Sequence, residues 1–192
     1  MVFINSSNSL VILNKIIYNV SKSGELWEKV ERRDNPAFVL YRKVERMFVG
    51  QFEHNIDEKG RLTVPAAFRE ELSQGAYITR GFDNNLIVLS KDNFEKLFQR
   101  AQAYSLTKPE VRDVNRLFFA NAALLEFDKA GRILIPAFLR QSARLDGEAV
   151  VAGAGRYFEI WSKELWADKD EQLNDAKLND TKFEMLDWSL GD

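Results

Sequence analysis

The 192-residue chain contains no cysteine, which excludes a disulfide scaffold and a thiol-ligated metal site and fits a reducing interior. Histidine occurs once, at His54, so a histidine metal cluster or a Ser-His-Asp triad has almost no material. A packed or solvated strand histidine is the simpler expectation. No apolar run approaches the ~20 residues that a membrane-spanning helix needs. The opening "MVFINSSNSLVILNKIIYNV" has an apolar patch, but no basic residue precedes it and Asn and Lys interrupt it, which makes it a poor signal peptide. Neither a G-x-x-x-x-G-K-[ST] phosphate loop nor a G-x-G-x-x-G fingerprint occurs. An excess of one charge is also missing, the formal net charge being −2. The reading that remains is a cytoplasmic protein without membrane attachment, and no metal or cofactor is expected.

What is present is the composition of a folded domain, with 45% hydrophobic and 29% charged residues. The length suits one sizeable domain, or two small ones that share a core. Charge is spread unevenly. Residues 1–46 hold 8 basic and 5 acidic side chains, residues 47–140 hold 13 and 12, and residues 141–192 hold 6 and 12. A bound polyanion would therefore meet a local cationic face, with the acidic C-terminal part turned away.

One phrase of sequence is written twice. "DEKGRLTVPAAFR" at 57–69 and "DKAGRILIPAFLR" at 128–140 share Asp-x-x-Gly-Arg, three mostly apolar residues, Pro and a further Arg, offset by 71 positions. The likeness continues with one residue inserted, aligning Gly81 with Gly153 and Ser90-Lys91 with Ser162-Lys163. Each copy reads as a strand ("FVGQFEHNI", "ALLEF"), a turn, a second strand ("RLTV", "RILI") and a short helix that begins at a proline. A hairpin ("AYITRG" with "NNLIVLS", "AVVAGA" with "YFEIWS") and a longer helix follow. Phe94, Leu97, Phe98 and Ala101 recur at helical spacing. A second helix, opened by Pro109, is expected to turn Val111, Val114, Leu117 and Phe118 inward. Half of such a body cannot bury its own apolar face, whereas two halves facing across a pseudo-twofold can. Upstream, "KSGELWEKVERRDNPAF" reads as a short helix ended near Asp34-Asn35-Pro36. The closing "NDAKLNDTKFEMLDWSLGD" reads as a polar tail with a terminal apolar cluster.

In each repeated turn, a glycine (Gly60, Gly131) takes the positive φ that a tight reversal demands. The aspartate before it (Asp57, Asp128) can accept hydrogen bonds from the turn's backbone N–H groups. Arg61 and Arg132 begin the next strand. Across a pseudo-twofold they would protrude as a matched pair, with Lys59 and Lys129 close by, suited to two phosphates or two base edges. For either copy alone, an ordinary turn flanked by solvated cations is the plainer reading. Asp57 and Asp128 could in principle do acid–base work, but they lack the small hydroxyl neighbour of an aspartic-protease site, and their turn role already accounts for them. Arg69 and Arg140, four residues after each proline, remain open between surface, ion pair and nucleic-acid flank. Trp161, Trp166 and Trp188, with Phe118 and Phe119, read as core or subunit contacts.

"MFVGQFEHNIDEKGRLTVPAAFR", "RLFFANAALLEFDKAGRILIPAFLR", "VVAGAGRYFEIWSKELW" and the closing "LDWSL" together resemble the MraZ family of bacterial transcriptional regulators, part of the wider SpoVT-AbrB group. The resemblance runs from Met47 essentially to the C-terminus. It implies an α+β, mainly β fold, in which tandem AbrB-like swapped-hairpin halves form one pseudo-twofold β-barrel-like body with peripheral helices. It further implies a ring-shaped homo-oligomer that binds double-stranded DNA at direct repeats in the promoter of its own division and cell-wall operon. Such a protein would act as a nucleoid-associated repressor without catalytic activity. The family's DNA-contacting arginines fall on Arg61 and Arg132, and Lys59 matches the first motif's lysine. Ala130 holds that slot in the second motif, where the lysine is Lys129 instead. The alternative is an antitoxin-like protein-interaction module, and an enzyme using Asp57 and Asp128 stands third.

The expected divisions are an N-terminal extension at 1–46, a first repeat with connecting helices at 47–121, a second repeat at 122–175 and a polar tail at 176–192. Met47-Phe48-Val49-Gly50 matches the pattern on which members of the family begin. Residues 1–46 are accordingly expected to lie upstream of a mis-assigned start, or else to form a basic arm that adds phosphate contacts.

Overall fold

The computed structural model describes residues 4–5, 8–13, 16–20, 26–32 and 35–43 by their backbone and residues 47–175 in full. It divides into two compact units, Met1–Arg46 and Met47–Asp192. In the first unit, β1 (Ile4–Asn5), β2 (Asn8–Leu13), β3 (Ile16–Val20), β4 (Leu26–Arg32) and β5 (Asn35–Lys43) form an antiparallel sheet in chain order. The short helix expected to end near Asp34-Asn35-Pro36 is therefore overturned, since β4 and β5 pair through Glu28↔Arg42 and Val30↔Leu40. Trp27, Val30, Val39 and Tyr41 are residues that favour extended backbone. Pro36, taken as a helix terminator, instead sits near the start of an edge strand, where a missing N–H is tolerated.

The second unit carries the duplication. Its first half holds β6 (Gln51–Asn55), β7 (Arg61–Thr63), α1 (Ala66–Arg69), β8 (Ala76–Arg80), β9 (Leu86–Ser90), α2 (Lys91–Gln102) and α3 (Pro109–Phe119). The other half holds β10 (Ala123–Leu125), β11 (Arg132–Leu134), α4 (Ala137–Ser142), β12 (Glu148–Gly153), β13 (Phe158–Ser162) and α5 (Lys163–Asn174). Six strands make one antiparallel sheet in the order β10-β8-β9-β13-β12-β6. The opening strand of each repeat thus pairs with the hairpin of the other: His54 faces Ala149, and Leu125 faces Ala76. The pseudo-twofold passes between β9 and β13, and again through the β7–β11 ribbon, where Leu62 faces Ile133.

The sheet is not closed into the barrel-like body expected from the sequence. Its edges, β10 and β6, do not pair with each other. After each edge strand the chain leaves the sheet through its turn and enters the two-stranded ribbon, with the bridges Ile56↔Leu62 and Phe127↔Ile133 at the crossover. The exchange that joins the two halves is also what keeps the sheet open. A one-residue correction applies to the hairpins. Ala76 faces Ser90 and Ala149 faces Ser162, so β12 is displaced by 73 positions from β8, and Gly153 occupies the ladder position of Arg80, not of Gly81.

Between sheet and ribbon lies the main core. Leu62, Val64, Ile133 and Ile135 meet Ile78, Val88, Val151 and Ile160, and the short helices contribute Phe68 and Leu139. Pro65 and Pro136 sit at the N-caps of α1 and α4, with extended backbone just before the first helical turn. Every residue of β9 is buried, because both of its faces are covered. On the outer face, Ile87 and Leu89 pack with Phe118 and, from α2, Phe94 and Leu97. Not all of the expected inward stripe is covered: Val114 is 51% and Phe98 42% exposed.

Candidate nucleic-acid interface

The two turns are built alike, atom for atom. In the first, Asp57 Oδ1 accepts from the backbone N–H of Lys59 (3.0 Å) and of Arg61 (2.9 Å), while Gly60 N–H donates to the Asp57 carbonyl at 2.8 Å. In the second, Asp128 Oδ1 accepts from Ala130 (2.9 Å) and Arg132 (3.0 Å), and Gly131 N–H donates to the Asp128 carbonyl at 2.9 Å. The glycines adopt φ of +79° and +73°, which explains their invariance between the copies.

Each arginine lies back on the aspartate of its own turn. Arg61 donates from Nε (2.7 Å) and approaches with Nη2 (2.7 Å) to Asp57 Oδ2. Arg132 does the same to Asp128 Oδ2, at 2.8 and 2.7 Å. The two guanidinium side chains are about equally half-buried, at 32% and 33% exposure, so neither extends freely into solvent. The turns also touch, Arg132 Nη1 standing 3.8 Å from Asp57 Oδ2. Hydrogen bonding from Arg61 pulls the Asp57 carboxyl down to about 2. Asp128 is lowered as well, mainly by hydrogen bonds from the backbone and side chain of Arg132. Two carboxylates held ionised in this way are poor general acids near neutral pH.

The turns are joined to each other's repeat from below. Val64 N–H donates to the Gly131 carbonyl (3.1 Å) and Ile135 N–H to the Gly60 carbonyl (3.0 Å), extending the ribbon. Arg69 and Arg140, left open by the sequence, belong to this support. Arg69 Nε donates to the Val64 carbonyl at 2.8 Å and Arg140 Nε to the Ile135 carbonyl at 3.2 Å. Each guanidinium also lies against the turn glycine of the opposite repeat, so that a Cβ on Gly131 would come within 2.4 Å of Arg69 Cζ. The signal for this pairing was the second Arg, eight residues after the first in both copies.

Lys59 and Lys129 are exposed on the turns, as are Glu58 and Ala130. The first turn therefore presents Glu58-Lys59 and the second Lys129-Ala130. Counting Arg61, Arg69, Arg132 and Arg140 with the two lysines against Asp57, Glu58 and Asp128, the tip carries a formal charge of +3. His54 lies on β6, half-buried, with its Nε2 buried and unpartnered among the described residues. Burial, and secondarily Arg69, holds its pKa below the ordinary value. No group of three or more His, Asp or Glu is placed to hold a metal ion among the described residues. None of the described helices is long and apolar enough to cross a membrane. Of the three tryptophans read as contacts, Trp161 is buried and stands over Trp166, while Trp188 lies outside the described residues.

A strand-exchanged α+β duplication that sets two Asp–Arg turns side by side on a cationic tip defines a tandem-repeat class whose distinctive surface is that pair of turns. The family described as "MraZ protein, putative antitoxin-like" matches residues 47–117 and 118–188, one repeat in each half. The chain is 47% identical to the "Transcriptional regulator MraZ" of Desulfitobacterium hafniense (strain Y51) over 130 residues, covering 68% of this chain and 91% of that protein. It is 42% identical to the protein of the same name from Roseiflexus castenholzii over 143 residues, covering 71% of this chain and all of the relative (100%). With the Herpetosiphon aurantiacus protein, again named "Transcriptional regulator MraZ", identity is 47% over 120 residues, 62% of this chain and 84% of the relative. The chain belongs to the MraZ family.

Proposed function

We infer that the protein is a non-enzymatic transcriptional regulator that reads double-stranded DNA with its paired turns. In this reading it binds direct repeats in the promoter of its own division and cell-wall operon, as a ring-shaped homo-oligomer, and represses it. The observation that carries the reading is the twin Asp–Arg clamp. Engaging Nε and Nη2 with the aspartate holds each guanidinium in one orientation, which reduces the entropy lost when it meets a base or phosphate. On Arg61, Nη1 and the second Nη2 proton remain as a donor pair of the kind that matches guanine O6 and N7, whereas Arg132 Nη1 also leans toward Asp57 Oδ2 at 3.8 Å. Lys59 and Lys129 flank the arginines as phosphate contacts. One tip of charge +3 binds weakly by itself. Repeated around a ring and set against successive DNA repeats, linked contacts multiply through effective concentration.

The test is binding of the full chain to the DNA upstream of its own gene across a salt series, beside Arg61→Ala and Arg132→Ala. Loss of a bidentate base contact weakens specific binding by about 1–3 kcal/mol. Repeat-dependent binding that falls in both variants supports two engaged reading heads. Binding that ignores sequence, with all three proteins alike, rejects the reading. It would then favour the second reading, an antitoxin-like module for a protein partner, which the family's description supports.

A further inference from the structure

Four residues of the β7–β11 ribbon lie on the face turned away from the core. Leu62, Val64, Ile133 and Ile135 are buried beneath it. Strand alternation therefore sets Arg61 and Thr63 of β7, and Arg132 and Leu134 of β11, on the outer side. The register pairs Arg61 with Leu134 and Thr63 with Arg132, and the pseudo-twofold exchanges the two pairs. It holds for the arginines and fails for the residues they face. Thr63 is polar and half-buried, whereas Leu134 is apolar and 58% exposed.

A single exposed leucine is ordinary on a protein surface. Leu134 differs in its setting, because it stands on the ribbon that joins the two Asp–Arg turns, on the cationic tip. It faces Arg61, the arginine with the more available donor pair, since Arg132 Nη1 leans toward Asp57. Facing Cα atoms of an antiparallel pair lie about 4.5–5.5 Å apart, and successive outward residues of one strand about 7 Å apart. Nucleotides of one DNA strand follow at about 3.4 Å, so the four side chains reach over about two base-pair steps. A two-stranded ribbon is one of the elements that a major groove admits. On the base edges of that groove, the feature that suits an apolar side chain is the C5 methyl of thymine; the others are donors and acceptors.

Resting on the reading that the turns bind DNA, we propose that Leu134 is a specificity-determining residue. It packs on the C5 methyl of a thymine within about two base pairs of the guanine that Arg61 reads. Thr63 takes the same place beside Arg132, but a hydroxyl both donates and accepts, so it meets any base edge and selects little. The tip then has a direction. Two identical halves related by a twofold would read a palindrome. A leucine on one side and a threonine on the other tell the two ends of the site apart. A site with a direction is repeated head to tail, which fits direct repeats and not inverted ones.

The test uses the full chain and the DNA upstream of its own gene, with thymines replaced singly by deoxyuridine. That replacement deletes the methyl group and leaves base pairing intact. Wild type is expected to lose affinity about fourfold at one thymine of a repeat, the effect of about one methyl group withdrawn from water. Leu134→Ser is expected to bind the unmodified DNA more weakly by a similar factor and to ignore deoxyuridine at that position. It is also expected to keep the wild-type salt slope, because no phosphate contact is lost. Leu134 is exposed, so the substitution spares the core. If wild type binds by sequence but no thymine methyl matters, or one matters equally in Leu134→Ser, the role of Leu134 is overturned and the DNA reading stands. Wild-type binding that ignores sequence overturns both. If Leu134→Ser weakens binding to all DNA alike and lowers the mass of the assembly, Leu134 is a contact between copies of the chain, and the proposal is overturned in favour of that role.

Discussion

The guanidinium of Arg140 lies so close beneath Gly60, the turn glycine of the other repeat, that a Cβ at position 60 would stand 2.7 Å from Arg140 Nε. Arg69 and Gly131 repeat the relationship. Gly60→Ala therefore meets two separate costs: a φ of +79°, worth about 1–2 kcal/mol for a residue with a Cβ, and displacement of the arginine. Arg140→Ala removes the second cost and leaves the first. In a denaturant double-mutant cycle, the pair is expected to show a coupling of about 0.5–3 kcal/mol, the double variant being less destabilised than the two single effects together. Strict additivity would mean that the arginine yields freely and that the turn does not depend on it.

The same turns make an acid-sensitive contribution. Asp57 is pulled from 3.8 to about 2 in the folded protein, chiefly by the Arg61 hydrogen bond. A depressed carboxyl pKa stabilises the fold above its unfolded value, and this stabilisation fades as pH falls toward the folded one. The unfolding free energies of wild type and Asp57→Asn are accordingly expected to differ above about pH 4 and to converge near pH 2. Asp128→Asn follows the same direction, since its pKa is lowered by the equivalent contacts. Denaturant melts at a series of pH values check both. Parallel curves down to pH 2 would show that the clamp does not form in solution.

Unlike charges on the two turns predict unlike DNA behaviour. Lys59→Ala and Lys129→Ala should each lower the slope of log affinity against log salt by about one unit, while preserving the choice of sequence. Glu58 has no acidic equivalent, because Lys129 occupies its place in the second copy. Glu58→Lys is expected to steepen the slope by about one unit and to raise affinity for unrelated DNA along with operator DNA. A base-specific effect from any of these changes would move the lysines from positioning to reading.

The turn chemistry was legible in the sequence because it is local. Asp57 bonds to residues two and four positions away, and such spacing survives whatever the rest of the chain does. The helical stripe of Phe94 and Leu97 was legible for the same reason, and both residues pack with Ile87 and Leu89. Exchange of β6 and β10 between the halves was implied only by the resemblance, since the alternation of β6 is satisfied equally by either hairpin. An open sheet instead of a barrel depends on whether two edge strands meet, and no local pattern records that. Arg69 and Arg140 were ambiguous because their partners, Gly131 and Gly60, are a repeat away and carry no side chain to signal a contact. The inserted residue was misplaced by one because a glycine near each hairpin bend invites alignment, whereas the ladder aligns Ala76 with Ala149.

Within the core the pseudo-twofold fails in a way that can be measured. Phe68 on α1 meets Phe48, Phe52 and Phe158 with ring centroids 5.2–5.3 Å apart, two of the contacts nearly edge-to-face. Its counterpart, one repeat later on α4, is Leu139, equally buried but without that aromatic cluster. Phe68→Ala removes a full ring from a site that three other rings hold rigid, and is expected to cost about 3–5 kcal/mol. Phe68→Leu copies the second repeat into the first. It keeps most of the apolar surface but forfeits the edge-to-face geometry, so a smaller loss of about 1–2 kcal/mol is expected. The reciprocal Leu139→Phe has no room prepared for it and is expected to destabilise by overpacking, by about 1–3 kcal/mol. Denaturant midpoints of the three variants check the order. If Phe68→Leu proved neutral, the four rings would contribute only as bulk apolar surface, and the asymmetry of the two halves would have no energetic basis at this position.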